Sequence, residues 1–232
     1  MLSFLQYSSG LFDVCEAYGL RLVMDSGAYT KPLSSKDIER YARIICTLGD
    51  RCEWYANADV IGDQRQSNAN YTLLISLLPP ELHHKVLWVY QVSAPLSYLD
   101  EGLERFGSIG IGGLVRLLAQ DSNGTKLLSV VQRIAQTQVY PHYFGLGQAR
   151  WLRLLRDIHA GRYSSDSSTW LVGAKFDRLI RYDGRQIPVK NTGFSFTPAE
   201  ILAQNIRTMR QWVELPEKGK STQASIQLSL FD

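Results

Sequence analysis

The chain has 232 residues, which is enough for one barrel-type domain or two small ones, and its 45% apolar and 20% charged residues are ordinary for a globular protein. The net charge is only +3, but residues 150–232 hold 13 Lys and Arg against 8 Asp and Glu. Such a basic excess suits a polyanion, although a solvated charged face explains it equally well. Without an apolar run of ~18 residues or a signal-peptide pattern, a soluble cytoplasmic protein without membrane association is expected.

Residues that could ligate a metal show no ligand spacing. The candidates are Cys15, Cys46, Cys52, His83, His84, His142 and His159. An odd number of cysteines without paired short spacings is typical of reduced cytosolic thiols rather than of a zinc site. The sequence therefore predicts no metal, and it shows no cofactor-binding motif.

Short apolar runs that favour strands alternate with helical patterns along the chain. The predicted strands cover residues 21–24, 54–61, 86–92, 108–111, 139–144 and 163–168. The predicted helices cover residues 35–48, 68–78, 96–106, 125–137 and 148–159. Extended residues 171–180 and 186–189 then flank Asp183-Gly184, a hairpin turn signal. A last helix begins at Thr197, where an N-cap, a first-turn proline and a capping-box glutamate follow one another.

Six or seven strand–helix units favour a compact TIM-type (β/α)8 barrel, complete or lacking a unit, with a β-hairpin inserted after residue 168. The alternative is an open doubly wound sheet. Polar or glycine residues follow nearly every predicted strand, and barrels collect their active sites at such strand ends, whereas an open sheet uses one switch point. Residues 1–215 are expected to form a single catalytic barrel domain, and residues 216–232 a polar C-terminal tail.

Two aspartates stand out as candidate catalytic groups. Asp25, in MDSGAY, lies where an apolar strand meets a tight turn, and Asp166, in YSSDSSTW, lies in a polar stretch between two apolar ones. Each aspartate alone could simply cap a turn. Two carboxylates at strand ends of one barrel face can instead divide roles, one ionised as a nucleophile and the other carrying a proton.

The segments VMDSGAYT, ADVIGDQ, VYQV, IGIGGLV, HYFGLGQ and YSSDSSTW occur in this order over roughly residues 20–190. Together they resemble the tRNA-guanine transglycosylases, and most closely their DNA-acting relatives, the 7-deazaguanine DNA transglycosylases of phages and genomic islands. The resemblance depends on DSGAY, GIGGL and GLG occurring in this order, because each segment alone would be weak evidence for the family. It implies a barrel enzyme that attacks the base–sugar bond of a nucleic acid.

The resemblance also implies roles for matching residues. Asp166 corresponds to the nucleophile, which attacks the anomeric carbon and forms a glycosyl-enzyme, and Asp25 to the aspartate that handles protons. Tyr29 and Phe144 would cover the two faces of a flipped base, with ordinary core packing as the alternative for both. The other base-binding residues implied are Ser26, Asp63, Gln91, Gly112, Gly113 and Leu114.

Departures from the tRNA enzymes favour DNA over tRNA as the substrate. The chain lacks their zinc site of three cysteines and a histidine and their appended RNA-binding domain. Ser-Asp-Ser-Ser also replaces the cysteine-bearing segment beside the family's nucleophile. The implied partners are DNA, a free nucleobase as co-substrate, and a protein that could supply further DNA-binding surface.

Several functions remain open from the sequence. A DNA transglycosylase would exchange guanine for a 7-deazaguanine. A hydrolytic DNA glycosylase of the same fold would let water attack the glycosyl-enzyme, leaving an abasic site in phage defence or repair. A tRNA-guanine transglycosylase and a catalytically silent nucleic-acid-binding module are the further alternatives.

Basic residues surround the predicted hairpin turn. They are Arg178, Arg181, Arg185 and Lys190. We expect them to contact the phosphates that flank a flipped nucleotide, without reading its sequence. A solvated hairpin is the alternative, because exposed arginines are common on protein surfaces.

Overall fold

A computed structural model describes residues 2–6, 9–17, 19, 22–121 and 123–214. Its contacts divide the chain into two compact units, residues 1–144 and residues 145–232, which we call unit 1 and unit 2. The predicted tail, residues 216–232, lies outside the described residues. In the part of the chain that the structure describes, no helix is long and apolar enough to cross a membrane.

Unit 1 is built on parallel strands that pair in the order of the chain. These strands are β1 (Leu2–Ser3), β2 (Met24–Asp25), β3 (Tyr55–Ala56), β4 (Val86–Gln91), β5 (Ser108–Gly112) and β6 (Tyr140–Tyr143). The pairing register runs through Leu2↔Met24, Met24↔Tyr55, Tyr55↔Val86, Trp88↔Ile109 and Ser108↔Tyr140. Sequential parallel pairing of this kind is the arrangement of a (β/α) barrel.

Helices alternate with these strands. They are α1 (Ser9–Ala17), α2 (Ser35–Leu48), α3 (Gln64–Ser76), α4 (Leu96–Arg105), α5 (Leu114–Gln120) and α6 (Thr125–Ala135). The α/β architecture is therefore as predicted, but the closed eight-stranded barrel is not. The six strands β1–β6 form an open half-barrel, since closure of such a barrel requires eight tilted strands.

The helix α2 has the bounds that the sequence predicts. Its N-cap, Ser34, accepts a hydrogen bond from the backbone of Asp37, whose side chain accepts one from the Ser34 backbone in return. The apolar stripe of the helix is buried against the sheet. Within this core the hydroxyl of Tyr41 donates to the carbonyl groups of Met24 and Ala56 at 3.3 and 3.0 Å, which ties α2 to β2 and β3.

The predicted strand at residues 54–61 is wrong beyond Ala56, because side chains of α3 bind the backbone that follows. The amide of Asn70 donates to the carbonyl of Ala58 at 2.7 Å, and the hydroxyl of Ser67 accepts from the Val60 N–H at 2.8 Å. These contacts replace the strand-to-strand bonds that the apolar sequence pattern predicts. The short helix α5 was also not predicted.

Unit 2 contains a small helical layer around a hairpin. Its elements are α7 (Ala149–His159), β7 (Ser164–Ser165), α8 (Thr169–Lys175), β8 (Arg178–Ile180), β9 (Gln186–Pro188) and α9 (Pro198–Val213). Strands β8 and β9 pair antiparallel with Leu179 opposite Ile187, which confirms the predicted hairpin. The capping box that opens α9 is also confirmed, with Thr197 as its N-cap.

The prediction of an extended segment over residues 171–180 is wrong for its first half, which lies in α8. Gly173 allows this helix to approach β8, because a Cβ atom there would lie 3.2 Å from the carbonyl oxygen of Arg178 and 2.9 Å from the amide of Asn205. Ala174, Leu179 and Ile201 form the core of this unit. Tertiary packing thus overrides the apolar pattern of the segment.

Candidate functional site

Three polar side chains and a glycine lie at or just beyond the carboxyl ends of consecutive strands in unit 1. Asp25 ends β2, Asp59 follows β3, Gln91 ends β4, and Gly112 ends β5. The carboxyl ends of neighbouring parallel strands lie at one edge of their sheet, which is where (β/α) barrels hold their active sites. We call these four residues the strand-end cluster.

Asp25 is held in a tight turn. Its Oδ2 accepts a hydrogen bond from the N–H of Gly27 at 3.1 Å. Gly27 has a φ of +74°, and a Cβ atom there would lie 2.7 Å from Cγ of Leu5, so glycine is required on both counts. The carboxylate thus caps its own turn and is also half-buried at the strand end.

The residues after Asp25 differ in exposure. Ser26 is fully buried, and its hydroxyl accepts a 3.4 Å hydrogen bond from the N–H of Ala28. Tyr29 is 72% exposed, so its ring is available to a ligand rather than packed in the core. Of the two predicted base-binding side chains here, only Tyr29 is therefore open to solvent.

Gln91 is the most firmly oriented member of the strand-end cluster. Its side chain is fully buried, its Nε2 donates to Oδ2 of Asp59 at 2.6 Å, and its Oε1 accepts from the N–H of Gly62 at 3.1 Å. Its backbone N–H donates to Oε1 of Gln64 at 2.6 Å. Both ends of the amide therefore have hydrogen-bond partners, and these partners fix the orientation of the amide.

Two glycines at the end of β5, Gly112 and Gly113, lie next to this amide. A Cβ atom at Gly112 would lie 2.7 Å from Nε2 of Gln91 and 3.2 Å from Oδ2 of Asp59. Gly113 has a φ of +77°, a conformation that favours glycine. Leu114 begins the short helix α5, and its side chain is buried, so only its backbone can contact a ligand.

Asp59 is a member of the strand-end cluster that the sequence reasoning missed. Burial, with a smaller contribution from the negative charge of Asp25, raises its pKa from 3.8 to about 6, although the hydrogen bond from Gln91 opposes this rise. A carboxyl group with such a pKa can carry a proton near neutral pH. In the sequence Asp59 lies inside the predicted strand of residues 54–61, so the apolar pattern did not indicate that it follows a strand end.

Asp63, which the resemblance matches to a base-reading aspartate, lies at the N-terminus of α3. Its Oδ1 accepts from the N–H of Gln66 at 2.9 Å, and it is the N-cap of the helix. The side chain is exposed. The structure thus brings Asp59, rather than Asp63, into contact with Gln91.

Phe144 lies beyond β6 and is packed on one side. Its ring lies edge-on to Trp54 and His142, at centroid distances of 6.3 and 4.5 Å. A Cβ atom at Gly110 would lie 2.5 Å from Cε2 of Phe144, so the ring covers the backbone of β5. Phe144 remains half-buried, so packing explains part of its surface and leaves part uncovered.

Asn57, directly after β3, contributes a polar atom without a partner. Its Nδ2 donates to the carbonyl of Ser67 at 2.9 Å. Its Oδ1 is buried and has no hydrogen-bond partner among the described residues. Buried acceptors of this kind are normally satisfied by water or a ligand.

In unit 2, the segment around Asp166 packs against the GLG segment. The N–H of Gly145 donates to Oδ1 of Asp166 at 3.0 Å, and Asp166 is half-buried just after β7. Gly147 abuts Ser167 so closely that a Cβ atom would overlap its hydroxyl. Two of the segments that carry the resemblance therefore meet in this unit.

The four predicted phosphate-binding residues lie on or beside the hairpin. Arg181 and Arg185 are joined across its turn, where the N–H of Arg181 donates to the Arg185 carbonyl at 2.9 Å. The side chain of Arg185 is 83% exposed, and its Nε lies 3.6 Å from Oδ2 of Asp183. Arg178 and Lys190 are exposed as well.

Among the residues that the structure describes, no group of three or more His, Cys, Asp or Glu side chains is placed to hold a metal ion. The chain matches no protein-family model and no curated protein sequence. The candidate site therefore rests on its own geometry and on the resemblance of its segments.

Proposed function

We propose that this protein is an enzyme that cleaves the base–sugar bond of a nucleotide flipped out of DNA and exchanges guanine for a 7-deazaguanine. The observation that carries the proposal is the strand-end cluster of unit 1, in which Asp25, Asp59 and Gln91 converge. Amide and carboxyl groups in fixed orientation are what a site needs to recognise the polar edge of a purine.

In this proposal, residues of unit 1 bind the base. The backbone of Gly112 and Gly113 would contact the edge of the base, while the buried amide of Gln91 would hold Asp59 in place. Asp59 would contact the same edge and can do so as a donor or an acceptor, because burial raises its pKa to about 6. The exposed ring of Tyr29 would stack on one face of the base.

Asp166 would be the nucleophile of the covalent step. Its carboxylate would attack the anomeric carbon, a carbon–oxygen bond would form, and the carbon–nitrogen bond to the base would break with its electron pair moving to the base. Asp25 would supply the proton that the departing base requires. Attack of a 7-deazaguanine nitrogen on the same carbon would then release the Asp166 carboxylate, with Asp25 taking up the proton of the incoming base.

Hydrolysis is the second candidate function, because the same residues would serve if water attacked the glycosyl-enzyme. The products would then be a free base and an abasic site. DNA is favoured over tRNA as the substrate by the sequence departures from the tRNA enzymes.

The test is to incubate the full chain with guanine-containing duplex DNA, with single-stranded DNA and with tRNA, each with radiolabelled 7-deazaguanine. Base exchange predicts label in DNA, and hydrolysis predicts alkali-labile abasic sites that form without the free base. Label in tRNA alone would make the chain a tRNA enzyme.

The control for this test is Asp166→Asn, in which an amide replaces the nucleophile with little change in shape. An acid quench of the wild-type reaction should trap DNA on the protein, and Asp166→Asn should trap none. Binding of DNA without label, abasic sites or trapped protein would show a silent binding module and would contradict the proposal.

A further inference from the structure

The last seven residues of the sequence differ in composition from the ten residues before them. Residues 216–225 carry no large apolar side chain. Four of the next six residues are large and apolar, namely Ile226, Leu228, Leu230 and Phe231. The prediction of a polar tail thus fits residues 216–225 and does not fit the apolar run that follows.

The apolar side chains follow a pattern. In an extended peptide successive side chains point to opposite sides, so Leu228 and Leu230 would share one side and Gln227 and Ser229 the other. Phe231 directly follows the second leucine. Peptides with apolar anchors at alternate positions are recognised by clefts with one pocket per anchor, while polar groups bind the rim.

The described chain ahead of this peptide is firmly attached to unit 2. Trp212, in the last turn of α9, is 1% exposed, and its indole N–H donates to the carbonyl of Tyr182 at 2.9 Å. Gln227 follows Glu214 by 13 residues. A chain of that length spans at most about 45 Å when extended, so it could reach a partner well beyond unit 2.

We propose that residues Gln227, Leu228, Ser229, Leu230 and Phe231 form a docking peptide for a ring-shaped sliding clamp that encircles DNA. We expect the cleft of such a clamp to accept a glutamine followed by alternating aliphatic residues and an aromatic one. The glutamine amide would hydrogen-bond at the rim of the cleft, and the leucine and phenylalanine side chains would fill its pockets. We call residues 227–231 the docking peptide.

The choice of a DNA-bound partner rests on the proposed function. The chain has a net charge of only +3, so non-specific attraction to the phosphate backbone is modest for an enzyme that must find bases in DNA. Tethering to a ring that is already on DNA would raise the local concentration of substrate without new base contacts. The docking peptide itself carries no charge, so salt should affect clamp binding less than DNA binding.

The experiment measures binding of the full chain to the purified sliding clamp of its source organism by isothermal titration calorimetry. We expect saturable binding that the double variant Leu230→Ala, Phe231→Ala weakens at least about tenfold, because each buried anchor contributes more than about 1 kcal/mol. Gln227→Ala should weaken binding severalfold, whereas the matched control Gln223→Ala should leave it within about twofold of wild type.

Three results would overturn the inference. They are no binding to the clamp by the wild-type chain, equal binding by the double variant, and a change in sedimentation of the isolated chain on substitution, which would assign the peptide to a second copy. Base exchange or excision on a short oligonucleotide without clamp should be unchanged in the double variant. Failure of clamp binding and failure of the proposed function are therefore measured separately.

Discussion

Among single residues, Asp166 has the most direct part in the proposed chemistry. Its carboxylate accepts the N–H of Gly145 through one oxygen, Oδ1, at 3.0 Å. An asparagine side chain can accept the same hydrogen bond and has almost the same shape. Asp166→Asn therefore separates nucleophilic chemistry from local structure.

We predict that Asp166→Asn lowers turnover by several orders of magnitude, because an amide is a poor nucleophile, while thermal unfolding and DNA binding stay close to wild type. Single-turnover kinetics on guanine-containing DNA measure the loss. Asp157→Asn, at an exposed aspartate of α7 that pairs with Arg156, is the control and should be active. Turnover of Asp166→Asn within about tenfold of wild type would remove this residue from the mechanism.

The buried carboxylate of Asp59 lowers the free energy of unfolding when it is ionised. Burial raises its pKa from 3.8 to about 6, so the folded state favours the protonated carboxyl more than the unfolded state does. The destabilisation caused by this group is small below about pH 4, grows as the pH rises from about 4 to about 6, and is nearly complete above about pH 6. Its full size is about 3 kcal/mol, from about 1.4 kcal/mol for each pH unit of difference.

We predict that Asp59→Asn raises the free energy of unfolding at pH 8 by up to about 3 kcal/mol and at pH 5 by about half as much, because asparagine can still accept from Gln91 without a charge. Urea unfolding at the two pH values measures this. Asp63→Asn is the matched control, since asparagine is an equally good N-cap and the side chain is exposed. Destabilisation of Asp59→Asn at pH 8 would contradict the assignment of a costly buried charge.

At the scale of elements, the hairpin of β8 and β9 exposes basic side chains to solvent, while its backbone is hydrogen-bonded to the rest of unit 2. Asn205, fully buried in α9, accepts from the N–H of Ile180 at 2.7 Å and donates to the carbonyl of Arg178 at 3.0 Å. The backbone of β8 is thus attached to α9 while the Arg185 side chain is exposed. A rigid backbone with exposed cations suits phosphate contacts that position DNA without reading bases.

We predict that Arg181→Ala combined with Arg185→Ala weakens DNA binding for all sequences and lowers the slope of log K against log salt by about one to two, one for each lost phosphate contact. Fluorescence anisotropy at several salt concentrations gives the slope. Turnover at saturating DNA should persist.

The control for the hairpin variant removes two exposed arginines elsewhere, Arg43 of α2 and Arg105 of α4. This change has the same effect on net charge and should leave the slope nearly as in wild type. Equal slopes for the hairpin variant and the control would show that DNA is bound on another surface.

For the whole molecule, the proposed reaction uses two catalytic carboxylates, those of Asp25 and Asp166. Two carboxylates suffice for cleavage of a glycosidic bond, since one can form the covalent intermediate while the other transfers the proton. The reaction as proposed therefore requires no cofactor from outside the chain.

We predict that turnover is unchanged, within about twofold, after treatment with EDTA and dialysis into metal-free buffer. Initial rates of base exchange or excision before and after treatment test this. A loss of activity that added zinc or magnesium restores would show that a metal takes part, and the two-carboxylate mechanism would then be wrong.

Features set by neighbouring residues could be predicted from the sequence alone. The bounds of α2, the capping box of α9 and the turn at Asp183-Gly184 depend on periodicity, caps and turn residues within a few positions. The strand-end positions of Asp25 and Gln91 follow from the same local patterns. The alternation of strands and helices likewise predicted an α/β architecture.

Features set by distant residues were decided only by the tertiary structure. Whether Asp59 or Asp63 meets Gln91 depends on how α3 binds the loop after β3, through the contacts of Ser67 and Asn70. The helical state of residues 169–175 likewise depends on close packing against β8 at Gly173. Extended and helical states of short apolar segments differ little in local energy, so hydrogen bonds and packing with residues distant in sequence decide between them.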